Sequence, residues 1–311
     1  MNSFAVEVKD LVKTFGTFIA VDHIDFQVNK GEIFGFLGPN GAGKSTTIRM
    51  LCGLLMPTSG KGSVAGFDLM KESEKIKQVI GYMSQRFSLY EELTVLENLH
   101  FFGGIYGLSG SLQKEKEEQA LEMAGLTELQ DRMTKTLAVG WKQRLALGCA
   151  ILHEPSILFL DEPTSGVDPI SRRNFWSLIH RMGEKGVTTF VTTHYMDEAE
   201  YCDRLAMIYR GKIIALGSPS ELKEETLSKG MMEVECEPLV AALDLLRKES
   251  RISEVAIFGD RLHVIGKEGI DTEQEVKTVF QKHGILLKRI DWIRPSLEDV
   301  FVSLIEKEEK R

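Results

Sequence analysis

A glycine-rich run, Gly38-Pro39-Asn40-Gly41-Ala42-Gly43-Lys44-Ser45-Thr46, constrains the fold of this chain more than any other feature. It fits the pattern G-x-x-x-x-G-K-[ST], which binds phosphate where a buried strand precedes it and a helix follows it. The apolar run 33–37 predicts that strand, and the residues from Lys44 to Leu55 predict that helix. The sequence therefore predicts a phosphate-binding loop in an α/β fold.

The residue types in this loop indicate its chemistry. Glycines let backbone N–H groups point inward around phosphate oxygens, and the helix N-terminus adds a partial positive charge. We expect Lys44 to reach the β- and γ-phosphates and Ser45 to place its hydroxyl on Mg²⁺. A chance glycine-rich turn is the alternative, and the strand and helix on either side disfavour it.

A second buried strand is predicted at 157–160, and it ends in two carboxylates, Asp161 and Glu162. Asp161 is predicted to hold Mg²⁺ through water, and Glu162 to polarise an attacking water molecule. Alone, this pair would indicate no more than an acidic turn. Together with the phosphate loop it predicts a site of nucleotide hydrolysis.

Length, charge and cysteine usage narrow the class of protein. The chain has 311 residues, enough for one large and one small domain, and a formal net charge of -8, which disfavours nucleic acid as a main partner. We expect no signal peptide and no membrane span, because no apolar stretch is long enough. Scattered cysteines indicate reduced, small apolar side chains of a cytosolic protein, since the spacing of Cys52, Cys149, Cys202 and Cys236 fits no metal site.

The pattern of predicted elements changes near residue 229. After that point the order is β-α-β-β-α-β, which is the split βαβ or ferredoxin-like arrangement. We therefore predict two domains, 1–228 and 229–311, with a helical subdomain at about 88–152 in the first.

The phosphate loop and the two carboxylates, in this order, resemble the nucleotide-binding subunits of ABC transporters over about residues 4–225. The resemblance implies an α/β P-loop ATPase domain with a mixed sheet core, an antiparallel β subdomain and a helical subdomain. A small α+β C-terminal domain would follow it. It also implies ATP and Mg²⁺ as cofactors and ATP hydrolysis as the activity.

The same resemblance assigns roles to four further residues. Phe15 stands where the family stacks an aromatic ring on adenine, and a core or turn phenylalanine is the alternative. Gln85 matches the Q-loop glutamine, which touches Mg²⁺ and senses the permease. Asp168 matches the D-loop, and His194 matches the switch histidine that contacts the γ-phosphate.

One family motif, the LSGGQ signature, is altered in this chain. Ala138 replaces the serine whose hydroxyl meets the partner subunit's γ-phosphate, and Val139 replaces the first glycine. Gly140 remains, at the start of a predicted helix, where N–H groups can still bind phosphate. Loss of the hydroxyl predicts a weakening of about 1.5–3 kcal/mol, unless Thr134 or Thr136 replaces it.

The resemblance also implies partners. Each ATP is held between two subunits, so we expect a head-to-tail pair with a second copy of this chain or with a homologous ATPase subunit. A separate transmembrane permease is expected to dock on segment 86–98, where Phe87, Leu89, Tyr90 and Leu93 either offer an apolar surface or belong to the core. We expect no nucleic-acid partner, and a cytoplasmic location at the inner face of the cell membrane.

Three short runs, 140–145, 153–155 and 295–301, resemble bacterial exporter ATPases of the multidrug type. They predict a subunit that powers an exporter of drugs or other small amphipathic molecules. One alternative is an ABC ATPase that works outside transport. The other, which Ala138 favours, is a regulatory ATP-binding module with weak hydrolysis, and the intact Glu162 and His194 disfavour it.

Overall fold

The computed structural model describes residues 4–85, 89–227 and 230–309. Its backbone forms two compact units, Met1–Leu216 and Gly217–Arg311. The sequence predicts the boundary later, at 228/229, so the difference concerns the helix Pro219–Leu227. This helix packs against the last helix, Leu297–Glu309, and it therefore belongs with the second unit.

The first unit combines strands and helices along the whole of its length. Its strands are β1 (Phe4–Phe15), β2 (Phe18–Asn29), β3 (Ile33–Leu37), β4 (Ser59–Val64), β5 (Phe67–Asp68), β6 (Ile80–Met83), β7 (Ile157–Asp161), β8 (Thr188–Thr193), β9 (Arg204–Tyr209) and β10 (Lys212–Gly217). Its helices are α1 (Lys44–Leu51), α2 (Ser73–Val79), α3 (Val95–Ile105), α4 (Gly110–Ala124), α5 (Val139–Ile151), α6 (Pro169–Glu184) and α7 (Met196–Ala199). The strands form one sheet of order β2-β1-β4-β5 and one of order β10-β9-β3-β8-β7-β6.

The larger sheet brings three loops to one edge. Strand β3 pairs in parallel with β8 and β9, and β7 pairs in parallel with β6 and β8. The carboxyl ends of parallel strands lie at the same edge, so the segments after β3, β7 and β8 meet there. These three strands are buried along their full length, which explains the apolar sequences of β3 and β7, whereas β8 carries four threonines whose hydroxyls need partners.

An aromatic cluster packs the antiparallel sheet against the larger one. Phe26 of β2 stacks on Phe34 of β3 with ring centroids 5.6 Å apart, and it lies 6.0 Å from Phe190 of β8. Phe34 and Phe190 are completely buried. Such aromatic pairs contribute about 0.5–1.5 kcal/mol each beyond the area that they bury. The cluster therefore fixes the two sheets next to the loops at the carboxyl edge.

Helices α3, α4 and α5 form a helical subdomain. They pack around a buried apolar cluster that includes Leu99, Leu121 and Leu145. Helix α3 begins with a capping box, in which Thr94 and Glu97 each accept a hydrogen bond from the other's backbone N–H. None of the helices in the described parts of the chain combines the length and apolarity that a bilayer crossing needs.

All four cysteines are buried in the folded chain. Burial raises the pKa of each thiol above its ordinary value. Cys52, Cys149 and Cys202 lie in the apolar clusters of the first unit, and Cys236 lies in that of the second. They therefore act as small apolar side chains in the core.

The second unit is an α+β structure built on one antiparallel sheet. Its elements are α8 (Pro219–Leu227), β11 (Met231–Glu237), α9 (Leu239–Lys248), β12 (Ile252–Phe258), β13 (Arg261–Gly266), α10 (Thr272–His283), β14 (Leu286–Ile293) and α11 (Leu297–Glu309). The strands are ordered β12-β13-β11-β14, and each neighbouring pair is antiparallel. The predicted β-α-β-β-α-β order is confirmed, with α8 before it and α11 after it.

A buried ionic group ties α11 to the sheet of the second unit. Nδ1 of His263, on β13, lies 2.5 Å from Oδ1 of Asp299, on α11, and its Nε2 lies 3.7 Å from Oε2 of Glu233. Burial opposes a charged imidazole, but the two carboxylates outweigh it and raise the pKa of His263. Burial likewise opposes ionisation of Asp299, but bonds from His263 and Ser296 lower its pKa.

We predict that His263 makes the stability of the second unit depend on pH. Because its pKa is raised in the folded chain, its stabilising contribution is complete below the unfolded value of about 6.5 and is lost as the pH rises through the folded value. Glutamine at position 263 does not titrate. The difference in free energy of unfolding between wild type and His263→Gln should therefore shrink as the pH rises through the folded pKa of His263. Native-state hydrogen exchange of the β13 amides measures the free energy of unfolding of the second unit at each pH. If this free energy changed with pH in the same way in wild type and in His263→Gln, the prediction would be contradicted.

Candidate functional site

The phosphate loop follows β3 and leads directly into α1, as predicted. Two of its glycines are required by the close approach of other backbone. A Cβ atom at Gly38 would lie 2.3 Å from the carbonyl oxygen of Ile208, and one at Gly43 would lie 2.5 Å from that of Ala20. Gly43 also has a φ of +111°, which favours glycine. The loop is therefore held against β2 and β9, at the N-terminus of α1.

Lys44 begins α1, and its side chain is only 4% exposed. Its Nζ donates to the carbonyl oxygens of Gly38, at 2.8 Å, and Pro39, at 3.1 Å. The same Nζ lies 3.1 Å from Oε1 of Glu162. The loop ammonium and the predicted catalytic carboxylate thus form a buried ion pair. The other predicted phosphate-binding residues lie in the same loop or the first turn of α1: Asn40, Gly41, Ala42, Ser45 and Thr46.

Asp161, the last residue of β7, is surrounded by hydroxyl groups. Its Oδ1 accepts hydrogen bonds from Ser45 Oγ at 3.0 Å and from Thr192 Oγ1 at 2.7 Å. Burial raises the pKa of Asp161, although both hydroxyls oppose that shift. The described residues contain no cluster of three or more His, Cys, Asp or Glu side chains that could hold a metal. The hydroxyl of Ser45 and the carboxylate of Asp161 are nevertheless oxygen donors of the kind that Mg²⁺ prefers beside phosphate.

Glu162 is the centre of the site. Besides Lys44, its carboxylate meets Gln85, whose Nε2 donates to Oε2 at 3.0 Å, and His194, whose Nδ1 lies 3.2 Å from Oε2. Its backbone has a φ of 48°, a strained value for a residue with a side chain. Its N–H donates to both the carbonyl oxygen and the hydroxyl of Thr192, which holds that conformation. The structure thus brings four predicted residues together.

Phe15 and Asp168 do not contact this group. Phe15 ends β1 and is 50% exposed, so the core alternative for this ring is wrong. Lys13 Nζ lies 5.1 Å from the centre of the ring. Asp168 caps α6, where its Oδ1 accepts from the N–H groups of Ile170 and Ser171. Bonds from Ser171 lower the pKa of Asp168.

The altered signature lies at the start of α5, where Ala138 occupies the N-cap position without a capping side chain. The two threonines that could replace the lost hydroxyl differ in exposure, since Thr134 is buried and Thr136 is exposed. Thr134 is fully buried and accepts from Asn98 Nδ2 at 2.9 Å, and Thr136 donates to a backbone carbonyl oxygen at 2.7 Å. Gly140 packs against α6, because a Cβ there would lie 2.8 Å from that of Ser171.

Sequence reasoning missed Thr192, which contacts both acidic residues of the site. Its hydroxyl donates to Asp161 and accepts from the N–H of Glu162, and its side chain is fully buried. The available signal was the run of threonines in β8, since buried hydroxyls require polar partners. The sequence alone could not show which partner each threonine takes.

A phosphate loop followed by two carboxylates, all at the carboxyl edge of a parallel sheet, is the arrangement of P-loop nucleotide-binding proteins. A family model described as ABC transporter matches residues 21–165. The probable multidrug ABC transporter ATP-binding protein YbhF of Escherichia coli (strain K12) is 59% identical over 221 residues, which cover 71% of this chain and 38% of YbhF. The linearmycin resistance ATP-binding protein LnrL of Bacillus subtilis (strain 168) is 36% identical over 304 residues, which cover 96% of this chain and 97% of LnrL.

A solved structure of the ATP-binding cassette MJ0796, a dimer in a post-hydrolysis state with ADP and Pi, is also similar. Its TM-score is 0.63 at 25% identity, over 68% of this chain and 98% of that one. The chain therefore belongs to the ATP-binding protein family of ABC transporters, and the predicted resemblance is confirmed. It spans 38% of the length of YbhF but nearly all of LnrL.

We predict that Ala138→Ser strengthens both the helix and the nucleotide site. A serine at the N-cap should stabilise α5 by about 0.5–2 kcal/mol and supply the hydroxyl that the family directs at phosphate. Ala138→Gly is the matched control, since glycine caps nearly as well as serine but has no hydroxyl. The temperature of thermal unfolding should rise in both variants, whereas the rate of ATP turnover should rise only in Ala138→Ser. Equal turnover in the two would contradict a role for the hydroxyl.

Proposed function

We propose that this chain hydrolyses ATP and thereby powers an exporter of drugs or other small amphipathic molecules. The observation that carries the proposal is the position of Glu162. Its carboxylate lies within 3.2 Å of Lys44, Gln85 and His194, three groups that come from the separate segments after β3, β6 and β8. Ionisable groups that converge in this way at the mouth of a phosphate loop are typical of functional sites.

The ion pair suggests how ATP would activate the site. A triphosphate brings negative charge to the loop, so Lys44 is expected to transfer its hydrogen bonds from Glu162 to phosphate oxygens. Glu162 can then accept a hydrogen bond from water in line with the γ-phosphorus. As the water oxygen bonds to phosphorus, the bond to the ADP oxygen breaks and the proton moves toward Glu162.

The other residues of the site would bind charge. His194 is placed to contact the γ-phosphate. Gln85 donates to Glu162 and would change its hydrogen bonding when that carboxylate takes new partners. Ser45 and Asp161 would hold Mg²⁺, which neutralises phosphate charge when bound. Phe15, half exposed at the end of β1, offers a ring face on which adenine can stack.

A second subunit would complete each site. The N-terminus of α5, with Gly140 in its first turn, presents N–H groups that can bind phosphate of an ATP held by the opposite chain. The D-loop, which ends at the Asp168 cap, would lie at the same interface. The dimeric MJ0796 structure with ADP and Pi supports a pair of subunits, which we propose is head-to-tail and formed with a second copy or with a homologous subunit.

A permease would dock beside the Q-loop. Tyr90 is 48% exposed and packs edge-on against the half-exposed Phe101, with ring centroids 4.6 Å apart. Ile105, one turn further along α3, is 61% exposed. Leu89 instead packs against the core of the helical subdomain, and Leu93 is partly buried. Phe87, also predicted for this surface, lies outside the described residues. The docking surface that we propose is therefore Tyr90, Phe101 and Ile105.

The direction of transport and the location rest on relatives. LnrL is described as a linearmycin resistance protein and YbhF as a probable multidrug transporter component, and export of an amphipathic molecule fits both descriptions. A chain that works through a permease would lie at the inner face of the cell membrane. The net charge of -8 supports the absence of a nucleic-acid partner.

The proposed chemistry is tested by Glu162→Gln. The amide keeps the shape of the carboxylate but cannot take a proton, so hydrolysis should fall by at least about 100-fold while ATP still binds. Light scattering should then show a dimer in ATP and a monomer in ADP, which serves as the control. A variant that turns over ATP normally, or that stays monomeric in ATP, would contradict the proposal.

The proposed partner is tested by purification from detergent-solubilised membranes of the host. A protein with several long apolar spans should co-purify with the wild-type chain and be lost with Tyr90→Ala combined with Phe101→Ala. Val240→Ala, which truncates an even more exposed apolar side chain of the second unit, is the control, and this variant should still co-purify with the membrane protein. Recovery of wild type without any hydrophobic partner would contradict a role in transport.

A further inference from the structure

A carboxylate outside the proposed catalytic group links the two segments that carry it. Glu198, on α7, has a completely buried side chain. Its Oε2 accepts a hydrogen bond from Thr193 Oγ1 at 2.6 Å, and its Oε1 accepts one from Thr164 Oγ1. Nε of Arg172, on α6, lies 3.4 Å from Oε1. Both carboxylate oxygens of Glu198 therefore have partners, which come from β8, from α6 and from the turn after β7.

The two threonines are sequence neighbours of the proposed catalytic residues. Thr193 immediately precedes His194, and its hydroxyl also accepts from the N–H of Tyr195 at 3.0 Å. Thr164 lies two residues after Glu162, immediately before the run 165–168 that matches the D-loop. The carboxylate of Glu198 thus connects the segment of the switch histidine to the segment of the catalytic glutamate.

Arg172 reinforces the same connection from outside. Its guanidinium stacks over the ring of Tyr195, 4.0 Å from the ring centre, and its Nη1 lies 3.3 Å from Oδ2 of Asp197. The ring of Tyr195 in turn lies 4.1 Å from that of His194. The residues on both sides of His194 are therefore held by one buried carboxylate and one arginine.

Two observations distinguish this group from an ordinary core ion pair. Burying a carboxylate is costly, and burial raises the pKa of Glu198 although both threonines and Arg172 oppose the shift. Its hydroxyl partners also lie next to the two segments, after β8 and after β7, that place His194 Nδ1 3.2 Å from Glu162 Oε2: Thr193 ends β8, and Thr164 lies in the turn after β7. An apolar residue could fill the space, but it could not fix the two loops relative to each other.

We propose that Glu198 is a positioning residue that sets the distance between His194 and Glu162 through Thr193 and Thr164. The proposal rests on the catalytic roles proposed above for His194 and Glu162. Glu198 contacts neither of them directly, so it would act on the rate of the chemical step and not on ATP binding. A misplacement of about 1 Å in a catalytic site can cost about 100-fold in rate.

The first test is Glu198→Gln in the full chain, with kcat and KM for ATP measured separately. Thr193 and Thr164 donate to different oxygens of Glu198, and an amide replaces one of these acceptors by an NH₂ donor. One of the two bonds is therefore lost, so kcat should fall about 10- to 100-fold with KM nearly unchanged. Glu32→Gln is the matched control, since Glu32 is also buried and pairs with Arg204 at 3.1 Å. Both variants should unfold at lower temperature, but only Glu198→Gln should lose kcat.

The second test separates the hydroxyl bonds from packing. Thr193→Val and Thr164→Val keep the branched shape and remove the hydroxyl, whereas the corresponding serine variants keep the hydroxyl and remove a buried methyl. The valine variants should lower kcat as Glu198→Gln does, whereas the serine variants should keep most of the wild-type kcat. If packing alone mattered, the serine variants would be the more damaged pair. These four variants decide the question if Glu198→Gln does not fold.

The outcomes separate this inference from the proposed function. If Glu162→Gln abolishes hydrolysis while Glu198→Gln and both valine variants keep kcat within about twofold of wild type, Glu198 has no positioning role and the proposed function stands. A change confined to KM would overturn the inference in the same way. If Glu162→Gln itself retains hydrolysis, the proposed function is wrong.

Discussion

Parallel pairing of β3, β7 and β8 is the constraint on which the site depends. Their carboxyl ends bring the phosphate loop, the two acidic residues and His194 to one edge, although long stretches of chain separate them. Because side chains alternate along a strand, a register shift of one residue in β8 would turn the Thr192 hydroxyl away from Asp161. The buried aromatic cluster behind these strands opposes such a shift.

The carboxylates of Asp161, Glu162 and Glu198 are all buried, and each has a different set of partners. Asp161 accepts from two hydroxyls, Glu162 meets an ammonium, an amide and an imidazole, and Glu198 accepts from two hydroxyls beside a guanidinium. Partners of this kind decide what a buried acid can do, because they fix its charge and its freedom to move. Two threonines at the end of β8 serve this group: Thr192 donates to Asp161 and accepts from the backbone N–H of Glu162, and Thr193 donates to Glu198.

The phosphate loop could be predicted from sequence because its requirements are local: glycines at strained or crowded positions between a strand and a helix. The contacts of Glu162 with Gln85 and His194 depend on strand order, so only the family resemblance pointed to them. Glu198 was missed because its partners are distant in the chain and its own residue type is common on helices. The capping box at Ser218 marks where α8 begins but carries no information about its packing against α11, which is why the domain boundary differs.

The burial of all four cysteines has a practical consequence for measuring motion in this protein. The thiolate is the species that attacks alkylating labels, and a raised pKa together with burial keeps that species scarce and out of reach. The native chain should therefore react slowly with maleimide probes. A single cysteine introduced on the surface could then carry a spin label or a fluorophore without prior removal of the native thiols. Such a label would report directly on the ATP-dependent association and separation of the two proposed subunits.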